Sequence, residues 1–360
     1  MAGPPPAPKT FAPFAAGTAL GALSALLFGV TAPVVQRLGE GVGPFTTATL
    51  LYAGAFLFAA VASIGSAPEG PAPAGKTWGR LALVALAGAV AAPVALAFGL
   101  QRASGVSASL LLNLESVFTL ALGVAVHKEH LGRRVLAASA LTTAGGVLLV
   151  AGRAGGGSAE LSGLCAVAAA TLFWALDNTL SRPLADLDTL GVVGRKSLLG
   201  ALLSGAIGLS TRETLPAALP ALGLVAAGTL GYGASLRLYL LAQRRLGSAR
   251  TASVFALAPF AGALAAAIMG QPIGGALALG GAALLLAGLA LHVTEGHDHP
   301  HSHPALEHEH EHRHDDGHHD HDHEDPPPPG QAHTHPHRHE AQRHAHPHTP
   351  DIHHRHDHED

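Results

Sequence analysis

The chain has 360 residues, 48% of them apolar and only 13% Asp, Glu, Lys or Arg. Soluble domains carry about a quarter charged residues, so a water-facing surface is excluded over most of its length. The net charge of −4 joins two opposite segments: residues 1–296 hold 17 Lys and Arg against 10 Asp and Glu, while residues 297–360 hold 4 Arg against 15 acids, with 23 of the 26 His.

The chain opens with a short segment, 1–11, in which Lys9 and a proline run precede the first helix. It lacks a small-residue cleavage site and is expected to stay attached. Apolar stretches near the roughly 20 residues that cross a bilayer follow. They predict ten helices, near 12–36, 44–64, 79–100, 104–126, 134–151, 161–181, 190–209, 217–241, 250–270 and 274–293. Gly39–Gly43, Pro68–Gly75, Gly152–Gly157 and Gln271-Pro272 separate them as breakers. Ala, Gly and Leu dominate, and small residues allow close helix approach in lipid. The single cysteine, Cys165 in the sixth helix, excludes an intrachain disulfide and a Cys-based zinc site, and reads as a small apolar filler.

Positive charge sets the expected orientation. With the N-terminus inside, one side collects Lys9, Lys76, Arg80, Lys128, Arg133, Arg134, Arg182, Arg195, Lys196, Arg244, Arg245 and Arg250. The other side gets Arg37, Arg102, Arg153 and Arg212. An even number of spans then puts both termini in the cytoplasm of a cell whose cytoplasmic membrane holds the chain.

Two segments align without a gap at an offset of 142 residues, Gly105–Leu149 over Gly247–Leu291. Matches include Gly105/Gly247, Phe118/Phe260, Ala121/Ala263, Gly146/Gly288 and Leu149/Leu291. These segments are the last two helices of each five-helix half. An odd number of spans per repeat turns the halves over relative to each other, an architecture of secondary transporters.

The stretch Ala108-Ser109-Leu110-Leu111-Leu112-Asn113-Leu114-Glu115, followed by Phe118 and Glu129-His130-Leu131, resembles the fourth helix of EamA-type carriers of the drug/metabolite transporter superfamily. Trp174-Ala175-Leu176-Asp177-Asn178, Lys196, Tyr232-Gly233, Ala249-Arg250-Thr251 and Ala258-Pro259-Phe260 extend the resemblance through the second half. A subset of these carriers also ends in a His-rich tail. The resemblance implies an all-α membrane protein of ten helices in a 5+5 inverted repeat, exporting small metabolites by alternating access. Two residues depart from it: Gln271 where the repeat equivalent of Glu129 is often also Glu, and Arg237 where similar sequences tend to be apolar.

Ionisable groups at membrane depth are costly and commonly line a pathway. Glu115 lies mid-helix with Asn113 two positions away, and reads either as a proton- or substrate-linked carboxylate or as a group hydrogen-bonded to Asn113 or a backbone carbonyl. Asp177, with Asn178 beside it, lies at a depth similar to Arg237 and to Lys196. An Asp177–Arg237 or an Asp177–Lys196 pair is expected, either on the pathway or as a structural tie between helices. Trp174, Tyr232 and Tyr239 are aromatic candidates for lining or for packing.

From residue 297 onward the composition cannot bury enough apolar surface to offset ordering entropy, so disorder is expected. Imidazoles alternate with other residues at His297, His299, His301 and His303, and at His308, His310, His312 and His314. His318, His319, His321 and His323, then His353, His354, His356 and His358, form further clusters. Imidazole suits Zn²⁺, Ni²⁺, Co²⁺ and Cu²⁺, so the tail reads as several interchangeable metal sites rather than one closed site, with no cofactor required.

The expected organisation is a cytoplasmic N-terminus (1–11), a first repeat (12–151), a linker (152–160), a second repeat (161–293) and a disordered tail (297–360). The expected function is a membrane carrier of a small solute in contact with lipid, with divalent metal ions as tail partners and no nucleic acid. No G-x-x-x-x-G-K-[ST] stretch is present, which favours gradient coupling over ATP, and no nucleophile–base pairing points to an enzyme. A transition-metal transporter or a membrane-anchored metal buffer is the alternative.

Overall fold

The computed structural model describes residues 11–68, 70–127, 132–152, 157–184, 187–246, 248–293, 298–303, 306–312, 333–339 and 342–347. The chain divides into two units, Met1–Glu295 and Gly296–Asp360.

The first unit is all-α. Its helices are α1 (Phe11–Leu38), α2 (Pro44–Ala62), α3 (Thr77–Val84), α4 (Ala92–Leu100), α5 (Gly105–Leu111), α6 (Leu114–His127) and α7 (Arg133–Ala151). Then come α8 (Ser158–Ser181), α9 (Thr189–Ser210), α10 (Ala218–Gly228), α11 (Ser235–Leu246), α12 (Ser248–Phe255), α13 (Ala258–Ile268) and α14 (Ala276–Val293). α3 and α4 join end to end through a π-helical segment, Ala85–Ala91, and α10 and α11 through another, Thr229–Ala234. These pieces make ten rods. Among the described residues nine helices are long and apolar enough to cross a membrane, and α14 carries a further, shorter apolar stretch, Ala276–Leu291. The molecule is a multi-pass membrane protein.

Where the sequence predicts unbroken helices, the third, fourth, eighth and ninth rods are interrupted. In the third rod Pro93 has no N–H to offer the carbonyl four residues back, and the π segment precedes it directly. The fourth rod breaks at Leu112–Asn113, where Leu112 N donates to Ser109 O at 3.2 Å and Asn113 N to Leu110 O at 3.2 Å. Such three-residue spacing tightens the turn. The Asn113 side chain bonds Leu110 O at 2.8 Å, and Ser116 Oγ bonds Asn113 O at 2.7 Å, satisfying carbonyls at the break. The ninth rod breaks likewise at Ala256–Leu257, ahead of Pro259.

Packing repeats with a shift of five rods. α7 lies along α14, and α2 along α9. The first rod, α1, packs on the eighth (α11) and ninth (α13), as the sixth, α8, packs on the third (α4) and fourth (α6). Loop contacts follow the same rule: Gly43 N, at the start of α2, donates to Thr214 O at 3.3 Å, and Asp188 N, at the start of α9, to Pro71 O at 3.2 Å. Small residues set the closest crossing. A methyl on Gly145 of α7 would stand 2.8 Å from Gly281 O of α14, and one on Gly281 would stand 2.8 Å from Gly145 O. Leu51, Leu100, Leu111, Leu164 and Leu224 fill the interior, while Leu202, Leu222 and Leu264 are exposed on the outer faces.

In the second unit, β1 (Asp298–His303) pairs antiparallel with β4 (Gln342–Pro347), and β2 (Leu306–His312) with β3 (His333–His339). The register sets His299 opposite His346 and His301 opposite His344. It also sets His308, His310 and His312 opposite His337, His335 and His333. These strands differ from the expected tail without regular structure. Alternating histidines have the two-residue period of a strand, and a ladder satisfies backbone groups without an apolar core. Two-stranded pairs are marginal by themselves in water.

Candidate functional site

The polar residues of the membrane unit converge on α8. Trp174, Asp177 and Asn178 stand three and four residues apart, on neighbouring turns of one helix face. Asp177 forms an ion pair with Lys196 of α9; 8% of the Asp177 side chain and 17% of the Lys196 side chain is exposed. Ser181 Oγ, one turn on, donates to Asp177 Oδ1 at 3.3 Å. Of the two cations considered for Asp177, Lys196 is joined to it, while Arg237 lies half-buried in α11 and is itself partnered.

Asn178 reaches the fourth rod, where its Nδ2 donates to Glu115 Oε1 at 2.8 Å. The carboxylate therefore meets Asn178 across helices, whereas the Asn113 amide serves its own helix break. The break places Glu115 in the first turn of α6, where a carboxylate sits favourably with the helix dipole.

The first π segment supplies the centre of the site. Gly88 O accepts from Tyr52 Oη at 2.5 Å and from Trp174 Nε1 at 3.3 Å. A Cβ on Gly88 would overlap the Asp177 carboxylate, so this residue fixes a phenol, an indole and an acid at once. The second π segment carries Tyr232, which stacks on Tyr52 at 5.5 Å between ring centroids. Phe28 of α1 meets Trp174 and Tyr232 edge-on, each at 5.9 Å, and lies 5.4 Å from Phe255 of α12. Tyr239 meets Phe255 at 5.1 Å, at the margin of this cluster. Edge-on and offset rings are the favoured aromatic arrangements.

Eight rods thus contribute, from both halves of the unit, and α7 and α14 stand apart as a pair. Trp174, Tyr232, Asp177, Asn178, Glu115 and Lys196, all candidates from the sequence, lie in one neighbourhood. Phe28, Tyr52 and Gly88 were missed. Tyr52 is one of only three tyrosines, a usable signal, but Gly88 sits in an Ala/Gly run where Pro93 alone hints at an interruption.

Among the described residues no group of three or more His, Cys, Asp or Glu is spaced to hold a metal ion. His299, His301 and His303 lie in β1, and His308, His310 and His312 in β2. His297, His314, His318, His319, His321, His323, His353, His354, His356 and His358 lie outside the described residues, as does Glu129.

Comparison with known proteins agrees with this architecture. A transporter of Methanothermobacter thermautotrophicus, described as uncharacterized, is 31% identical over 199 residues, covering 52% of this chain and 57% of that protein. The chain thus matches a little over half the length of this relative. A solved crystal structure shares the fold with a TM-score of 0.57 at 21% identity, over 77% of this chain and 96% of that one. The model of the EamA-like transporter family matches twice, at residues 15–151 and again at 161–294, once for each set of five rods. The chain belongs to the EamA-like transporter family.

Proposed function

We propose that this protein is a secondary carrier that exports a small amphipathic metabolite or drug-like solute across the cytoplasmic membrane by alternating access. In this reading ten helices span the bilayer as two inverted five-helix repeats, and both termini are cytoplasmic. The observation that carries it is the joining of two polar pairs, Asp177–Lys196 and Glu115–Asn178, to an aromatic cluster drawn from both halves. Aromatic faces suit the apolar body of a solute, and the polar pairs suit its charged or hydrogen-bonding end. The repeated packing, the twofold family match and the odd number of rods per repeat support inversion. The excess of Lys and Arg on the side of Lys9 supports the orientation.

The tail is proposed as a metal-binding arm for Zn²⁺, Ni²⁺, Co²⁺ or Cu²⁺. Its support is 23 histidines in 297–360 and the register that sets histidine opposite histidine in the β2–β3 ladder. Growth and accumulation assays over a panel of metals and amphipathic metabolites test both parts, comparing the intact chain, Asp177→Asn, and a version ending at Gly296. Solute export lost in Asp177→Asn but kept without the tail is the expected result. Metal tolerance as the sole phenotype, lost with the tail and untouched by Asp177→Asn, would replace the carrier reading with a metal buffer.

A further inference from the structure

At one end of the membrane unit, the close of the first and third rods, the start of the fourth and the loop after the ninth meet through two glutamines. Gln36 Nε2 donates to Leu100 O at 2.7 Å and to Ala103 O at 2.8 Å. Gln271 Nε2 donates to Gln36 Oε1 at 2.7 Å, and Gly105 N donates to Gln271 Oε1 at 2.7 Å. A Cβ on Gly105 would overlap Gln36 Oε1. The network ties the first half, through Gln36 and Gly105, to the second, through Gln271.

Below this network the fourth and ninth rods are pressed together. A methyl on Gly262 of α13 would stand 2.6 Å from Gly29 O and 2.9 Å from Ser109 Oγ of α5. Ser109 is fully buried, and among the described residues its hydroxyl has no hydrogen-bond partner. The opposite halves of the same two rods differ: among the described residues, α6 and α12 make no contact comparable to that of α5 with α13. The fourth and ninth rods are therefore close together at the glutamine end and apart at the other.

We propose that the Gln36–Gln271 pair is the latch that keeps this end of the carrier closed and that parts when the binding site opens there; the proposal rests on the alternating-access reading above. Its chemistry is specific. Gln271 both donates and accepts, and a carboxylate in its place only accepts. Gln36 cannot turn its amide to compensate, because its nitrogen is already held by two carbonyls. Gln36 and Gln271 are thus positioning residues, acting on the site through the first, fourth and ninth rods without touching it.

Ser109 is the reporter, because it is sealed beneath the latch. The full chain carrying Cys165→Ala and Ser109→Cys is reconstituted in lipid vesicles and treated at fixed pH with a small charged thiol reagent. Loss of one or two hydrogen bonds, each about 1 kcal/mol, raises the labelling rate by about 5- to 30-fold in Gln271→Glu and in Gly105→Ala. Both variants are checked for a cooperative melt; where Gln271→Glu does not fold, Gln36→Met is read in the same way. Labelling that stays at the parent rate in folded variants overturns the latch. The measurement needs no transported solute, so a failed search for substrate and a failed latch are separate results.

Discussion

At the scale of single residues, the site is governed by what an unpaired charge costs away from water. Removing one partner from a buried ion pair costs about 3–5 kcal/mol, because the survivor is left without compensation. Lys196→Met is therefore expected to lower the melting temperature and yield of folded protein in detergent. The double variant Asp177→Asn with Lys196→Met is expected to recover most of that stability while transport stays lost. Recovery of transport in the double variant would make the pair a structural tie only. Glu115→Gln keeps an acceptor for Asn178 Nδ2 but loses the exchangeable proton. It is expected to leave stability within about 1 kcal/mol and to abolish the pH dependence of transport; an unchanged pH profile would remove Glu115 from the mechanism. Glu115, Asp177 and Lys196 were legible in sequence because ionisable groups are rare in apolar helices. Their partners were less so, since Asp177 had two cations at similar depth and only side-chain geometry separates them.

At the scale of elements, the interruptions of the helices matter more than the helices. The π segment Ala85–Ala91 presents Gly88 O to Tyr52 and Trp174, which a regular helix would have bonded internally. Gly88→Ala is expected to push Asp177 aside and abolish transport. In a Trp78→Phe background Trp174 is the sole tryptophan, and its emission should shift as the added methyl displaces α8 from the residue 88 carbonyl; an unshifted spectrum with full transport would contradict this placement. Helix ends are similarly specific. Glu213 Oε1 and Oε2 accept from Phe45 N at 3.2 Å and Thr46 N at 2.7 Å, capping α2 from the loop after α9. Glu213→Ala should cost about 1–2 kcal/mol, read as a fall in melting temperature. Nothing in local sequence marks Glu213 as a cap, because its helix lies 167 and 168 positions away. The break at Ala256–Leu257 was half legible through Pro259, and that at Leu112–Asn113 was not, since it depends on turn hydrogen bonds rather than a proline.

At the scale of the molecule, the two units obey different rules. Packing in lipid rests on close backbone approach and van der Waals contact, and the α7–α14 crossing has no room for larger side chains. Gly145→Leu is expected to destabilise the membrane unit by about 1–3 kcal/mol through overpacking, measured by thermal unfolding in detergent. The tail depends on imidazole protonation instead. Zn²⁺ binding by the intact chain, followed by equilibrium dialysis, should weaken as pH falls through about 6.5 and disappear in a version ending at Gly296. Binding that survives the truncation would place the metal elsewhere.

Composition and hydropathy alone determined that this is an all-α membrane protein. Each span must satisfy its backbone internally in lipid, so an apolar stretch of sufficient length leaves little choice but helix. A repeat was also visible, because Gly, Ala, Leu and Phe residues recur at an offset of 142 in the two halves. What only the tertiary structure decided are the relations between distant segments: Lys196 as the partner of Asp177, Asn178 as that of Glu115, Gly88 as the hub of the aromatic cluster, and Gln271 against Gln36. These depend on angles and offsets between rods, which apolar sequences of Ala, Gly and Leu specify through many small contacts and not through any local pattern.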